Sequence, residues 1–189
     1  MLRCRLILCL GLLSGCLTSS DQALLRTEFE IPTGAREISY QASPQAGGWF
    51  GREGLKIDFR LQLSQSDYQR YVAAHAHQWQ PLPIPETFLR RLAAIERTEQ
   101  ALMLSYKHSG KKQPAPISYP DAKMRLAAFI KSLPPQPAHG LFQIRTAGDN
   151  IMHARKVLYQ QPDRDLNDFM LALLDSDKRQ LLIKVSTSY

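Results

Sequence analysis

The chain has 189 residues, which is enough for one domain with a substantial hydrophobic core and too few for two ordinary domains. Its formal net charge is +7, from 24 Lys and Arg against 17 Asp and Glu, but the basic residues are spread along the chain, which argues against nucleic-acid binding. All three cysteines lie within the first 16 residues, so the sequence after them excludes disulfides, thiol catalysis and thiolate metal sites.

The first 15 residues have the layout of a secretory signal. Arg3 and Arg5 supply positive charge before an apolar run from Leu6 to Leu13. This run is about half the length that spans a bilayer, so a transmembrane helix is the weaker alternative. A second alternative to a secretory signal is a cytosolic protein whose sequence begins with an apolar run by chance. The tetrad Leu13-Ser14-Gly15-Cys16 then combines small residues with a cysteine, as a cleavage site would.

This leader resembles that of bacterial lipoproteins, whose lipobox ends in a cysteine. The resemblance implies that the Cys16 thiol receives a diacylglyceryl group, that signal peptidase II cuts after Gly15, and that the new amine is acylated. Two or three acyl chains would anchor the protein stably in a bilayer, where one chain binds only marginally. Many Gram-negative lipoproteins that stay at the inner membrane carry Asp directly after this cysteine. Leu17 therefore implies the periplasmic face of the outer membrane.

The resemblance divides the chain into three parts. Residues 1–15 are the predicted signal peptide, residues 16–22 are the lipidated cysteine and a polar tether, and residues 23–189 are a single α+β domain. Cleavage would leave 174 residues with a formal charge of +5, since two arginines are lost with the signal. The tether spans about 20 Å when extended, so the domain is expected close to the membrane surface.

The first predicted elements of the domain are two strands and a helix. Apolar and polar residues alternate from Leu55 to Leu63, which predicts a half-buried strand. Glu37–Ala42 is a shorter predicted strand, and the glycine-rich segment Gly47–Gly54 forms a hairpin-like connection between the two. A helix that ends near Gln78 follows.

Prolines divide the middle of the chain. Those within residues 81–85 predict an extended stretch, followed by a short helix whose apolar positions lie within Phe88–Ile95. We predict a strand over Ala101–Lys107 and a loop over Ser109–Pro120. A further helix is predicted to be capped by Asp121 and ended by the next Pro-Pro pair.

Two hairpins are predicted in the last third. Leu141–Arg145 and Ile151–Tyr159 flank the first turn, and Phe169–Leu174 and Leu181–Tyr189 flank the second. A helix over Asp165–Leu174 is the main alternative, because Leu and Met favour helices. Local strand pairs with intervening helices predict the α+β class, with an antiparallel sheet of several strands and two or three helices packed on it.

The sequence lacks the Gly-x-Ser-x-Gly motif of many hydrolases, the His-Glu-x-x-His motif of metalloproteases and the glycine-rich phosphate loop. His75 and His77 are two positions apart on the predicted helix, where they point in nearly opposite directions and cannot share a metal ion. His108, His139 and His153 are scattered and can meet only through the fold. No cofactor and no metal ion are expected.

The most distinctive segment of the domain carries Trp49, Phe50 and Arg52 among its glycines. Aromatic residues and arginine are favoured where a protein contacts a partner or a lipid interface, so these three residues are candidate contacts. The alternative is that the aromatic rings fold back and cover one end of the sheet. Asp149-Asn150 invites a ligand interpretation as well, but both residue types are ordinary in turns.

Two functions fit these observations. The first is a non-catalytic binding or accessory module of an envelope assembly or secretion system, held to the bilayer by acylated Cys16 and contacting an envelope protein. The alternative is a small periplasmic hydrolase of cell-wall or glycan material, with histidines and carboxylates brought together by folding. Asp58 and Glu53 are its candidate carboxylate pair. The absence of these enzyme motifs favours the non-catalytic module.

Overall fold

The computed structural model contains two compact units, Met1–Ile31 and Pro32–Tyr189. The residues it describes are 20–45, 54–98, 100, 104, 119–147, 151–163, 165–166 and 168–187. In the first unit, helix α1 spans Ser20–Glu28, so it begins within the segment 16–22 that the sequence indicated as a tether. No helix among the described residues is both long enough and apolar enough to cross a bilayer.

The second unit is an antiparallel sheet with helices. Its strands are β1 (Arg36–Gln45), β2 (Gly54–Gln62), β3 (Gln80–Pro81), β4 (Gly140–Thr146), β5 (Val157–Leu158), β6 (Phe169–Asp175) and β7 (Gln180–Ser186). Its helices are α2 (Gln65–His75), a short 3-10 helix (Ala76–Gln78), α3 (Glu86–Leu92) and α4 (Tyr119–Ser132), and residues 95–98 are also helical.

The strands form one seven-stranded sheet in the order β1-β2-β7-β6-β4-β3, and every pairing is antiparallel. The hairpins β1-β2 and β6-β7 join through β2 and β7 in the middle of the sheet. The outer edge of β4 is covered at one end by β3 and at the other by β5. The predicted α+β class with an antiparallel sheet is therefore confirmed.

One face of the sheet is apolar across its central strands. The alternation predicted for β2 places Ile57, Phe59 and Leu61 on this face, and all three are fully buried. Their partners on β7 lie on the same face and are equally buried, since the register pairs Phe59 with Ile183 and Leu61 with Leu181. Period-two patterning thus fixes which side of β2 enters the core.

Helices α3 and α4 pack on the opposite face of the sheet at β4 and β6. Phe88 of α3 makes an edge-on ring contact with Phe142 of β4, with centroids 5.8 Å apart. Phe129 of α4 contacts Phe169 of β6 in the same way, at 6.5 Å. Leu182 of β7 is the last sheet residue in this apolar cluster. Among the described residues, the apolar cluster beneath the helices therefore ends at β7 and includes no residue of β2 or β1.

The second predicted hairpin is confirmed as β6-β7, and the alternative helix over Asp165–Leu174 is wrong. The turn between the strands is stabilised by buried Asp175, whose Oδ1 accepts hydrogen bonds from the backbone N–H groups of Asp177 and Lys178 at 3.0 and 2.9 Å. Arg179 has a φ of 53° in this turn. Pairing of β6 with its neighbouring strands stabilises the strand conformation and outweighs the preference of Leu and Met for helices.

The first predicted hairpin is only partly correct. Leu141–Arg145 lies in β4, but the predicted strand Ile151–Tyr159 reduces to the two residues of β5. Residues 151–154 lie in turns and a bend, with Ile151 and Met152 buried. Their apolar character reflects packing of a loop against the core and not strand pairing.

Two predictions for the middle of the chain are also wrong where the structure describes it. Leu104 is helical, against the strand predicted for Ala101–Lys107, because Ala, Leu and Met favour helices. Helix α4 begins at Tyr119, so the predicted loop ends earlier and Asp121 lies inside the helix instead of capping it. Pro120 was interpreted as a loop residue, yet proline is well tolerated in the first turn of a helix.

Gly140 is expected to be intolerant of any side chain. A Cβ atom there would overlap the carbonyl oxygen of Leu174 on the paired strand β6. Gly140→Ala should lower the free energy of unfolding by about 1–3 kcal/mol, as measured by urea denaturation. Gly34→Ala is the control, because its Cβ would meet only the Asp67 carboxylate, a side chain that can move. Equal losses for both variants would contradict this account of Gly140.

Candidate binding site

The part of this second sheet face formed by β1 and β2 is polar because two rows of cross-strand neighbours change from polar to apolar along the sheet. One row runs from Gln41 through Asp58 and Lys184 to apolar Leu171. The neighbouring row runs from Ser39 through Arg60 to Leu182 and Leu173. Both rows are therefore polar on β1 and β2 and apolar beneath the helices.

A pocket of about 410 Å³ lies at this boundary. Two strands form its floor and the chain after α4 forms its wall. Its lining residues are Ser39, Gln41, Asp58, Arg60, Ser132, Leu133, Pro134 and Pro135. Leu133 is buried in the helical core cluster, which fixes the wall in place. This volume lies within the range of small-molecule sites, but such sites are usually mostly apolar. The polar floor therefore suits a ligand that carries polar or charged groups.

Three charged side chains define the electrostatics of the pocket. Lys184 is 9% exposed, and its ammonium lies 3.3 Å from Oδ1 of Asp58. Arg60 stands beside this pair on the exposed surface and has no hydrogen-bond or ion-pair partner among the described residues. Two cations thus face one carboxylate, and the unpaired guanidinium offers donors that match a carboxylate.

The pocket does not have the geometry of a nucleophilic active site in the part of the chain that the structure describes. The Ser132 hydroxyl donates to the carbonyl oxygen of Phe129 at 2.6 Å, and neither histidine nor cysteine lines the pocket. Asp58 is engaged by Lys184. Activation of a serine requires a base within hydrogen-bond reach, and none is placed here.

A histidine and a carboxylate do meet elsewhere, at the β6-β7 turn. His139 Nδ1 lies 3.1 Å from Oδ2 of Asp177, but their side chains are 77% and 61% exposed. The neighbouring Ser176 hydroxyl accepts a hydrogen bond from Tyr68, at 2.9 Å. The backbone N–H of Ser176 donates to the carbonyl oxygen of His139. These contacts hold the β6-β7 turn against α2 and against the residue before β4.

Carboxylates near α3 also have structural roles. Burial raises the pKa of Glu96, but the hydrogen bond and charge of Arg90 outweigh it and hold that pKa below its ordinary value. Asp165 is 6% exposed; it accepts a hydrogen bond from the backbone N–H of Arg97 and forms an ion pair with Arg91 at 3.3 Å. Glu96 thus links the chain after α3 to Arg90 of α3, and Asp165 links it to the segment before β6.

Several residues singled out from the sequence lie outside the described part of the chain. They are Cys16, Trp49, Phe50, Arg52, Glu53, His108, Asp149 and Asn150. Of the proposed carboxylate pair, Asp58 lines the pocket. His75 ends α2 with its ring 4.8 Å from that of Tyr71, and His77 lies exposed in the 3-10 helix.

Sequence reasoning missed the residues that build the pocket with Asp58. Arg60 was recognised only as a polar position of the strand Leu55–Leu63, and Ser39 and Gln41 only as members of the shorter strand Glu37–Ala42. Lys184 within the apolar run Leu181–Val185 was the available signal, because a lysine that is nearly buried requires a partner.

The described residues contain no group of three or more His, Cys, Asp or Glu side chains that could hold a metal ion. Comparison of the chain with models of protein families, with curated proteins and with solved structures finds no match.

Proposed function

We propose that this protein is a lipoprotein of the bacterial envelope that binds a protein partner through the polar pocket. The leader that ends in Cys16 supports lipid anchoring, and Leu17 supports the periplasmic face of the outer membrane. The protein acts as a non-catalytic module of an envelope assembly or secretion system.

The observation that carries the binding role is Arg60 at the edge of the pocket, which has no hydrogen-bond or ion-pair partner among the described residues. Its guanidinium lies on the same sheet face as the Lys184-Asp58 pair and offers donors to an acidic group. The sheet fixes the backbone of Arg60, and Pro134 and Pro135 give the facing wall few conformations. A preorganised polar surface of this kind gives specificity in binding.

The hydrolase alternative lacks a comparable observation. Its mechanism requires a histidine or a second carboxylate near Asp58, and no described residue of either type lines the pocket. The exposed pair of His139 and Asp177 lies at a turn, where both side chains are open to solvent.

Site-specific photo-crosslinking in living cells tests the binding role. A photoreactive amino acid at Gln41, which is exposed on the pocket floor, is expected to yield one discrete adduct with an envelope protein. The same probe at Val157 is the control, because Val157 is 54% exposed but lies on β5 at another edge of the sheet.

The pattern of adducts decides the outcome. A discrete adduct from Gln41 and none of the same mass from Val157 supports the pocket as the binding site. No adduct from Gln41, or the same adducts from both positions, contradicts the proposal.

A further inference from the structure

Strand β1 is an edge of the sheet and pairs only with β2 among the described residues. An edge strand presents a row of unpaired backbone N–H and C=O groups to which another strand can add. Gln41, Ala42 and Ser43 are exposed, and Ser39 and Tyr40 are half-buried, so residues 41–43 remain accessible to an approaching strand in the part of the chain that the structure describes.

Both ends of β1 carry features that normally prevent pairing at an edge. A register irregularity interrupts the ladder between Glu37 and Ser39, and Pro44 lacks a backbone N–H near the other end. Between them, residues 39–43 pair regularly with β2. The protection thus leaves open a central stretch of five residues, which is the usual length of a strand.

The open stretch coincides with the pocket. Ser39 and Gln41 belong to this stretch and line the pocket floor. A strand added to β1 would place alternate side chains beside Ser39 and Gln41 at the edge of that floor, because side chains of neighbouring strands lie side by side on one face. Arg60 lies directly across from Ser39. Serine is small, so the long arginine side chain can reach over it toward the added strand.

We propose that the partner docks as an extended acidic segment that adds to residues 39–43 of β1 and places a carboxylate against Arg60. This inference rests on the proposed function and specifies the chemistry of the partner. Backbone hydrogen bonds to β1 give affinity, and the contact between the carboxylate and the guanidinium selects the sequence.

The test uses the whole chain, labelled for amide hydrogen exchange by NMR, and two synthetic peptides of alternating composition. One is acetyl-Thr-Glu-Thr-Glu-Thr-Glu-Thr-amide, and the matched control has Gln in place of each Glu. The acidic peptide is expected to protect every second amide of residues 39–43, because consecutive backbone N–H groups of a strand point to opposite sides. It should bind about tenfold more tightly than the Gln peptide.

The Arg60→Gln variant should remove this preference, and Arg155→Gln should keep it, since Arg155 is exposed and does not line the pocket. Equal affinity for the two peptides, no protection in β1 at about 1 mM peptide, or a preference that survives in Arg60→Gln would overturn the inference. So would a dimer, detected by sedimentation, whose β1 amides are protected without peptide, because a second copy would then occupy the edge.

The two proposals fail in different ways. If Gln41 yields its discrete adduct in cells but the acidic peptide leaves β1 unprotected, strand addition is wrong and the proposed function stands. If the peptide protects β1 but no adduct forms in cells, the edge accepts a strand and the proposed function fails.

Discussion

Replacement of Phe59 by alanine is expected to lower the free energy of unfolding by about 3–5 kcal/mol. Phe59 is fully buried in the middle of β2, and its ring meets that of Tyr40 edge-on with centroids 5.5 Å apart. The substitution removes this apolar surface and leaves a cavity in the core on that face of the sheet. Since small domains are stable by only about 5–15 kcal/mol, much of the folded population could be lost. Urea denaturation followed by tryptophan fluorescence measures the change.

The neighbouring residue supplies the control. Arg60→Ala alters the next position of the same strand on the exposed face and should change the free energy of unfolding by no more than about 0.5 kcal/mol. A loss below about 1 kcal/mol for Phe59→Ala, or equal losses for the two variants, would mean that the two faces of β2 are wrongly assigned.

Replacement of Cys16 by serine is expected to abolish lipid labelling and to remove the protein from the outer-membrane fraction. Serine has no thiol to receive the diacylglyceryl group, so both the lipid and the lipid-dependent cleavage are lost. Growth with a fatty-acid probe followed by fractionation measures incorporation and location together. The parent chain should carry the label and sediment with outer membranes.

Cys9→Ser is the matched control, because Cys9 lies within the apolar run of the leader and is not the last residue of the tetrad. This variant should be labelled and sorted like the parent. Lipid label that persists in Cys16→Ser would refute lipidation at that residue, and label lost equally from both variants would point to failed export.

Local patterns predicted the parts of the fold that depend on local chemistry. The alternation in Leu55–Leu63 gave β2 to within one residue at each end and also identified its buried side. The turn after Asp175 and the alternation in β7 likewise predicted the second hairpin. In these segments the pattern of side chains and the pairing of the backbone favour the same structure.

Hydrophobic patterning gave wrong predictions where tertiary packing alone decides the structure. Ile151 and Met152 are apolar because a loop lies against the core, and a strand and a buried loop look alike in sequence. The pocket was hidden for a related reason. The polar positions of β2 look the same whether a helix covers them, solvent covers them or a pocket forms above them. Only the lateral extent of α3 and α4 makes Asp58 and Arg60 a pocket floor.

Charge reversal at Arg60 tests the central claim, that the polar pocket is where the partner binds, most directly. The yield of the photo-crosslinked adduct from Gln41 is compared between Arg60→Glu and Arg155→Glu, which make the same change in net charge. We predict that Arg60→Glu lowers the adduct yield at least about tenfold, because a carboxylate then faces the acidic group of the partner. Arg155→Glu should leave the yield unchanged. Equal yields in the two variants would contradict the assignment of this pocket as the binding site.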